Sequence, residues 1–192
     1  MKLLVVAASS WELAGITCPL TRVVGVGKLQ AAVYTYRAIE SEKPDLVVCV
    51  GTARALDPSL RIGDIVTATS VWQHDVDLTR FGLLSGELPN GRGGVVGEIA
   101  CHPFPGLPAG RCASGDVFVT RPYQESHPQL SGSLFCDMES YGIAFAAKEL
   151  DTGIMIVRSI SDDSCGHRPK RYHAFIRKAN EQLDHLLSHI AE

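Results

Sequence analysis

Three nearly uninterrupted apolar runs constrain this chain more than any other feature: Leu3–Ala8, Leu46–Val50 and Gly153–Ser161. A strand with one wet face alternates apolar and polar residues, whereas a continuous run belongs to a strand covered on both faces, as in a parallel sheet flanked by helices. Arg22–Val26 reads the same way, as a further central strand. Between it and Leu46–Val50, the residues Leu29, Ala32, Val33 and Tyr36 recur at i, i+3, i+4 and i+7, the stripe of an amphipathic helix facing the core. Strand, helix, strand in that order is a parallel crossover. Gly51 opens a loop, and Asp64–Trp72, Arg111–Val119 and Ser133–Asp137 add shorter strands. The Gly- and Pro-rich stretch 82–110 is mostly loop. Tyr172, Phe175, Ile176, Ala179, Leu183, Leu186, Leu187 and Ile190 share one face of a long closing helix. The expected architecture is a single α/β domain over residues 1–192, a central mixed, mostly parallel twisted sheet flanked by helices.

Composition narrows the function classes. The 18 basic and 21 acidic residues give a net charge of −3, which excludes a strongly basic nucleic-acid binder. No stretch approaches the roughly 20 apolar residues of a membrane span. The start imitates a signal peptide, but Glu12 ends the apolar run and one positive side chain precedes it, so the segment reads as a strand. Six cysteines are scattered without a C-x-x-C pair, the usage of buried reduced thiols in a cytoplasmic protein.

In open α/β sheets ligands collect beyond the carboxyl ends of strands. Polar residues follow the apolar runs at Ser9-Ser10-Trp11-Glu12, at Gly51-Thr52-Ala53-Arg54 and at Arg158-Ser159-Ile160-Ser161-Asp162-Asp163. Each alone fits a solvated loop or a helix cap, and their convergence points to a site. A helix beginning at Met138 would put Glu139 on one apolar stripe with Gly142, Ile143, Ala146 and Leu150. A carboxylate there needs hydrogen-bond donors or a ligand, or else serves the helix dipole. Arg158 falls among Ile154, Ile156 and Ile160 by strand alternation, so its guanidinium needs a carboxylate or phosphate partner.

Other motifs carry less. Gly25-Val26-Gly27-Lys28-Leu29-Gln30 has glutamine where a dinucleotide fingerprint has its third glycine, and Lys28 is not followed by Ser or Thr as a phosphate loop requires. His185 and His189 stand at i, i+4 without a third ligand nearby and read as an exposed helix face, His167 and His173 form no metal pattern, and Gln73-His74-Asp75-Val76-Asp77 reads as a polar loop. No metal and no cofactor is expected.

Six segments occur together in a known order: Val50-Gly51-Thr52-Ala53, Gly63-Asp64-Ile65-Val66, Gln73-His74-Asp75-Val76-Asp77, Ser114-Gly115-Asp116-Val117-Phe118, Asp137-Met138-Glu139-Ser140 and Val157-Arg158-Ser159-Ile160-Ser161-Asp162. In order and spacing they resemble the purine nucleoside phosphorylase and nucleosidase superfamily, and within it most resemble the 5′-methylthioadenosine/S-adenosylhomocysteine nucleosidases. The resemblance implies cleavage of the N-glycosidic bond of a 5′-substituted adenosine-type nucleoside. By that resemblance Asp162 meets and protonates purine N7, Ser161 orients its carboxyl, Glu12 holds the attacking water with Thr52, and Arg158 completes that site. Met138 and Glu139 match the pair beneath the ribose, Phe118 the aromatic that stacks on the base, and Val119 the backbone that reads the purine edge. Tyr172 matches a pocket aromatic near the 5′ group. Leu78 and Phe81 match residues that reach the neighbouring subunit's pocket in a homodimer.

The chemistry asks for the same parts: an oxocarbenium-like sugar welcomes carboxylates, and the leaving base needs a proton donor, which burial of Asp162 at a strand end could supply. Phosphorylases of this superfamily carry a glycine-rich, arginine-bearing loop after the first strand, whereas Ala7-Ala8-Ser9-Ser10-Trp11-Glu12 has no arginine and a negative charge. Water is therefore the expected nucleophile. The alternatives are a phosphorylase, a nucleosidase for another nucleoside such as a futalosine-like or anionic one, and a non-catalytic binding protein. Arg54 stands where the family usually has glycine, so it could pair with a carboxylate of the protein or meet an anionic substrate. The chain also resembles a trimmed version of the family fold, lacking a strand pair between Glu12 and Val23 and a helix before Ser114.

Overall fold

The computed structural model describes residues 1–191. The elements run β1 (Leu3–Ala7), α1 (Ser10–Leu13), β2 (Thr21–Val23), α2 (Lys28–Glu42), β3 (Leu46–Cys49), β4 (Thr52–Ala55), β5 (Ile65–Gln73), β6 (Leu88–Pro89), β7 (Val95–Val96), β8 (Ile99–Ala100), β9 (Ala109–Ser114), α3 (Arg121–Ser126), β10 (Ser133–Asp137), α4 (Ser140–Glu149), β11 (Gly153–Asp162) and α5 (Tyr172–Ala191). Nine strands form one mixed sheet in the order β2-β1-β3-β11-β4-β10-β9-β5-β8, and β6 pairs with β7 as a separate ribbon.

Period-two alternation sorts the apolar runs between two layers. Leu4 and Val6 of β1, Val47 and Cys49 of β3, and Ile154, Ile156 and Ile160 of β11 pack with Ala31, Ala38 and Ile39 of α2 and with Ile143, Ala144 and Ala147 of α4. Their neighbours Leu3, Val5, Ala7, Leu46, Val48, Val50, Met155 and Val157 face the other way, toward Leu183 and Leu187 of α5. Both faces are thus covered, as the continuous runs require.

The sheet does not stay open. The ten-residue β11 pairs in parallel with β3 through Gly153–Ile156, then with β4 through Ser159–Asp162, and also antiparallel with β5 through Val157–Ser159. With β4–β10, β10–β9 and β9–β5 paired as well, β11, β4, β10, β9 and β5 close into a ring. A run this long passes from the flat half of the sheet into the curled half. Gly51, expected to open a loop, leads directly into β4, the strand needed for that closure.

Three further expectations change. Arg22–Val26 is not a central strand: β2 is a three-residue edge strand, and Arg22 and Val23 are exposed. The helix over 28–42 exists, but it packs through Ala31, Thr35, Ala38 and Ile39 while Leu29, Val33 and Tyr36 are exposed. The cause is close packing against α4, where a Cβ on Gly142 would lie 2.2 Å from the Lys28 carbonyl, so small residues occupy the contact. Strand β9 ends at Ser114, leaving Phe118 and Val119 in the loop that follows. Among the described residues there is no strand between α1 and β2 and no helix between 82 and 110. The cysteines are free, with Cys49, Cys112 and Cys136 buried and Cys165 exposed. Burial pushes the Cys49 and Cys101 thiols up to about 12. No helix among the described residues is long and apolar enough to cross a membrane.

Candidate active site

A cavity of about 300 Å³ opens where the carboxyl ends of β1, β10 and β11 meet β4. It gathers Glu12, Thr52, Arg54, Phe118, Val119, Met138, Glu139, Ser161, Asp162 and Tyr172, side chains spread over 160 positions of sequence. Ser9, Trp11, Asp137 and His173 also line it. Leu78 and Phe81 do not, since Phe81 lies 77% exposed in the short turn Thr79–Phe81 outside the cavity wall.

At one end Glu12 sits in the single-turn helix α1, directly after β1. One carboxylate oxygen accepts from the Ser9 N–H (3.2 Å) and hydroxyl (3.3 Å), the other from the Thr52 N–H (3.0 Å) and hydroxyl (3.2 Å). Four donors from two strand ends hold this buried carboxylate in place. The Tyr172 hydroxyl lies 3.1 Å from that of Thr52 and ties the start of α5 to the same point.

Arg158 is beneath the wall rather than on it, 1% exposed, on the α4 side of β11 as its alternation with Ile154, Ile156 and Ile160 predicts. Its partner is Asp137: Nε and Nη2 donate to one Asp137 oxygen at 2.9 and 2.7 Å, and Nη1 donates to the Val50 carbonyl at 2.6 Å. The Ser140 hydroxyl donates to that same Asp137 oxygen, and the other Asp137 oxygen accepts the Ser140 N–H at 3.1 Å. A Cβ on Gly51 would lie 2.5 Å from Arg158 Nη1 and 2.7 Å from Glu12, and its φ is +140°, so only glycine fits where these side chains converge.

Glu139 is buried as expected, but not on a helical stripe. The helix starts at Ser140, and Glu139 is the residue that caps it, because Asp137 and Ser140 take up the preceding turn. Its carboxylate accepts the Gly27 N–H at 3.1 Å. Gly27, at φ +88°, is the N-cap of α2, so the Gly-x-Gly-Lys segment that fails as a nucleotide motif does present a helix N-terminus to an anion, the protein's own Glu139. Desolvation, reinforced by Asp137 and opposed by Arg158 and the Gly27 N–H, pushes the Glu139 carboxyl up to about 7.

At the other end, the register of β11 against β4 slips between Ile160 and Asp162, a bulge that turns both Ser161 and Asp162 to the cavity. Ser161 donates to Asp162 Oδ2 at 2.7 Å. Asp162 Oδ1 is in ion-pair contact with Arg168, whose guanidinium also lies 4.8 Å from the Phe118 ring centroid. Phe118 is half exposed and Val119 buried. Farther out, Trp11 and His173 rings stand 4.8 Å apart at the mouth.

The sequence reading missed Asp137, Gly51, Gly27 and Arg168. The demand of a buried Arg158 for a carboxylate was the signal for Asp137; nothing in the sequence pointed to Arg168. Gln73–Asp77 is less a polar loop than a strand end: His74 is buried against Tyr123, and Asp75 pairs with Lys28 at 2.6 Å. His185 and His189 are exposed on α5, as read. In the loop after β11, side-chain atoms of Asp163, Cys165 and His167 lie within 4.8 Å of one another, with His167 hydrogen-bonded to Asp163.

Residues 16–192 match the sequence profile of the phosphorylase superfamily. The chain belongs to that superfamily. It is 30% identical over 185 residues to a 5′-methylthioadenosine/S-adenosylhomocysteine nucleosidase of Pseudoalteromonas translucida, covering 88% of this chain and 77% of that relative. The fold is similar to the crystal structure of the Campylobacter jejuni 5′-methylthioadenosine/S-adenosyl homocysteine nucleosidase, with a TM-score of 0.85 and 20% identity over 97% of this chain and 96% of that one. It is also similar to a Colwellia psychrerythraea nucleosidase solved in complex with adenine, with a TM-score of 0.82 and 26% identity over 97% and 93% of the two chains. The mixed, helix-flanked sheet is that of these nucleosidases.

Proposed function

We propose that this superfamily member is an N-ribosylhydrolase that cleaves the N-glycosidic bond of a 5′-substituted adenosine-type nucleoside with water, acting as one domain over residues 1–192. The observation that carries the choice of water is the Glu12 carboxylate at the nucleophile end, held by Ser9 and Thr52. A phosphate dianion there would face a buried negative charge.

In the reaction the C1′–N9 bond breaks and its electron pair leaves with the base. Asp162, oriented by Ser161 and freed from Arg168 as the base enters, hydrogen-bonds N7 and relays a proton from solvent to it. The sugar develops oxocarbenium character, stabilised by the nearby carboxylates, and Glu139 with Met138 lies beneath its hydroxyls. A water held by Glu12 and Thr52 adds to C1′ and passes a proton to Glu12. Arg158 acts through position and field, because it is bound to Asp137 and does not reach the cavity wall. Phe118 stacks on the base, the Val119 backbone reads its edge, and Tyr172 borders the 5′ group.

The protein works as a homodimer in the cytoplasm, where free thiols such as these persist. The outward face of α2, with Leu29 78% and Val33 46% exposed, is the kind of apolar stripe a second copy covers. Leu78 and Phe81 would then enter the neighbouring site. Product analysis tests the reaction: adenine with 5-methylthioribose or S-ribosylhomocysteine, independent of added phosphate, is expected from 5′-methylthioadenosine or S-adenosylhomocysteine respectively. The corresponding 5-substituted ribose 1-phosphate as product would make the enzyme a phosphorylase. Asp162→Asn should lower kcat by about 10²–10⁴ while the melting temperature barely moves.

A further inference from the structure

We infer that Arg54 makes the base end of the cavity selective for a purine with a hydrogen-bond acceptor at position 6, so that a 6-oxopurine nucleoside is cleaved in preference to its 6-amino counterpart. The inference rests on the reading that Asp162 meets purine N7; it keeps the proposed hydrolysis and 5′ group and changes only the preferred base, from the adenine of the proposed substrate to its 6-oxo analogue.

Arg54 lines the cavity and is only 6% exposed. A guanidinium carries five N–H donors and keeps its charge in any protein environment. One donor is used, Nη2 to the Ser164 carbonyl at 3.0 Å, while Nε is buried without a hydrogen-bond partner. Among the described residues no carboxylate lies within ion-pair distance of it. Burying a guanidinium with one neutral acceptor and no counter-charge costs free energy, which a further acceptor on a ligand would relieve.

Its place in the sheet says which part of a nucleoside it meets. Thr52 and Arg54 are two apart on β4 and so point to the same side, and Thr52 is already fixed at the nucleophile end by Glu12. Across the sheet the register partner of Arg54 is Asp162 on one side and Cys136 on the other. The guanidinium therefore belongs to the base end, beside the carboxyl proposed for N7. Position 6 lies on the same edge of the purine as N7. On that edge a 6-oxopurine offers two acceptors, whereas adenine offers an acceptor and a donor. A donor-only guanidinium completes the first pattern and opposes the second. As the glycosidic bond breaks, the departing base gains electron density that its 6-oxygen shares. A donor there grows stronger toward the transition state, which places the gain in kcat as well as in binding.

The decisive measurement compares two nucleosides alike in all but position 6, 5′-methylthioinosine and 5′-methylthioadenosine. For the wild type, kcat/KM is expected to be about tenfold or more higher for the 6-oxo compound. Arg54→Met should reduce that ratio by about 10–100-fold, and Arg54→Lys should fall between the two. If Arg54 is only a strut for the Ser164 loop, Arg54→Met lowers the melting temperature and leaves the ratio unchanged, which overturns the inference. A wild-type preference for the 6-amino compound overturns it too, and neither of these results touches the hydrolase reading. Release of base from neither nucleoside overturns the hydrolase reading itself. Calorimetric binding of free hypoxanthine and adenine then decides the inference separately: tighter hypoxanthine, weakened in Arg54→Lys, supports it, and equal affinities overturn it. The same binding experiment serves if Arg54→Met fails to fold.

Discussion

At the sugar end of the cavity Glu12, Asp137, Glu139 and Arg158 are all buried and held by hydrogen bonds: Asp137 and Arg158 lie in strands, Glu139 follows β10 as the cap of α4, and Glu12 is tied to the start of β4 from the helical turn it shares with Trp11. At the base and 5′ end Phe118, Tyr172 and Trp11 are 50%, 42% and 60% exposed, and they stand on a loop, at the first residue of α5 and on a single helical turn. One region is fixed by the same backbone that builds the core; the other is hung on segments with little packing of their own. Bond cleavage needs groups held within fractions of an ångström, while discrimination among 5′ groups needs surfaces that can change without unfolding the protein. The contrast predicts that substitutions at the sugar end will change stability and activity together, whereas those of the exposed 5′ wall will change activity alone.

The largest effect should come from Asp137→Ala. It removes the carboxylate bonded to Arg158 and leaves a charge buried at 1% exposure, a loss of about 3–5 kcal/mol. For a chain of this length that corresponds to a fall in melting temperature of roughly 6–20 °C. Activity should fall further than the folded fraction accounts for, because Arg158 also anchors the Val50 carbonyl beside Gly51 and Glu12. Thermal unfolding followed by assay below the transition checks both. A shift smaller than about 1 kcal/mol would mean that the sugar end is not the rigid region described.

The same contrast governs what could be read from the sequence. Leu3–Ala8, Leu46–Val50 and Gly153–Ser161 announced the covered strands because burial on two faces leaves an unbroken apolar signal. Glu12, Arg158 and Glu139 stood out because charge within or beside such runs demands a partner. The stripe on α2 misled for the converse reason: Leu29, Val33 and Tyr36 have the helical period, but periodicity does not say which face is inward, and Ala31, Thr35 and Ala38 fit the close contact with α4 better. Closure of the ring was hidden because it depends on β11 pairing with three strands, a property of its length and bulge rather than its composition. Arg168 reaches Asp162 from a loop whose path no local pattern specifies.

A smaller effect, with a sign that depends on pH, is expected for Glu139→Gln. Burial raises the Glu139 carboxyl from 4.5 to about 7, so between those values the folded protein holds a proton that the unfolded chain has released. Stability therefore falls as pH rises from about 4.5 to about 7 and is level beyond. The shift corresponds to no more than about 3 kcal/mol at neutral pH. Glu139→Gln should remove this slope and gain on the wild type progressively across that interval, in denaturant unfolding at pH 4.5, 6 and 8. Its catalytic signature runs the other way. Wild-type kcat/KM should rise as pH passes about 7, when the carboxylate can accept from the ribose hydroxyls and oppose the cationic sugar, and the variant should be low at every pH. Identical pH slopes in the two proteins would remove Glu139 from both roles.

The smallest change in stability, and the sharpest test of the contrast, is Tyr172→Phe. The substitution deletes a hydroxyl 3.1 Å from that of Thr52 and nothing else. Tyr172 is 42% exposed, so water replaces the lost contact and the unfolding free energy should move by about 0.5 kcal/mol or less. Thr52 keeps its hydrogen bond to Glu12, so the nucleophile end stays assembled. The start of α5, however, loses its tether to the cavity, and the 5′ wall it carries is free to shift. The expected result is a several-fold rise in KM that differs between 5′-methylthioadenosine and S-adenosylhomocysteine, with kcat changed much less. An equal fall in kcat for both substrates would instead make the Tyr172 hydroxyl part of the water-holding group with Thr52 and Glu12. The boundary between the rigid and the adaptable region would then lie beyond α5, at the mouth formed by Trp11 and His173.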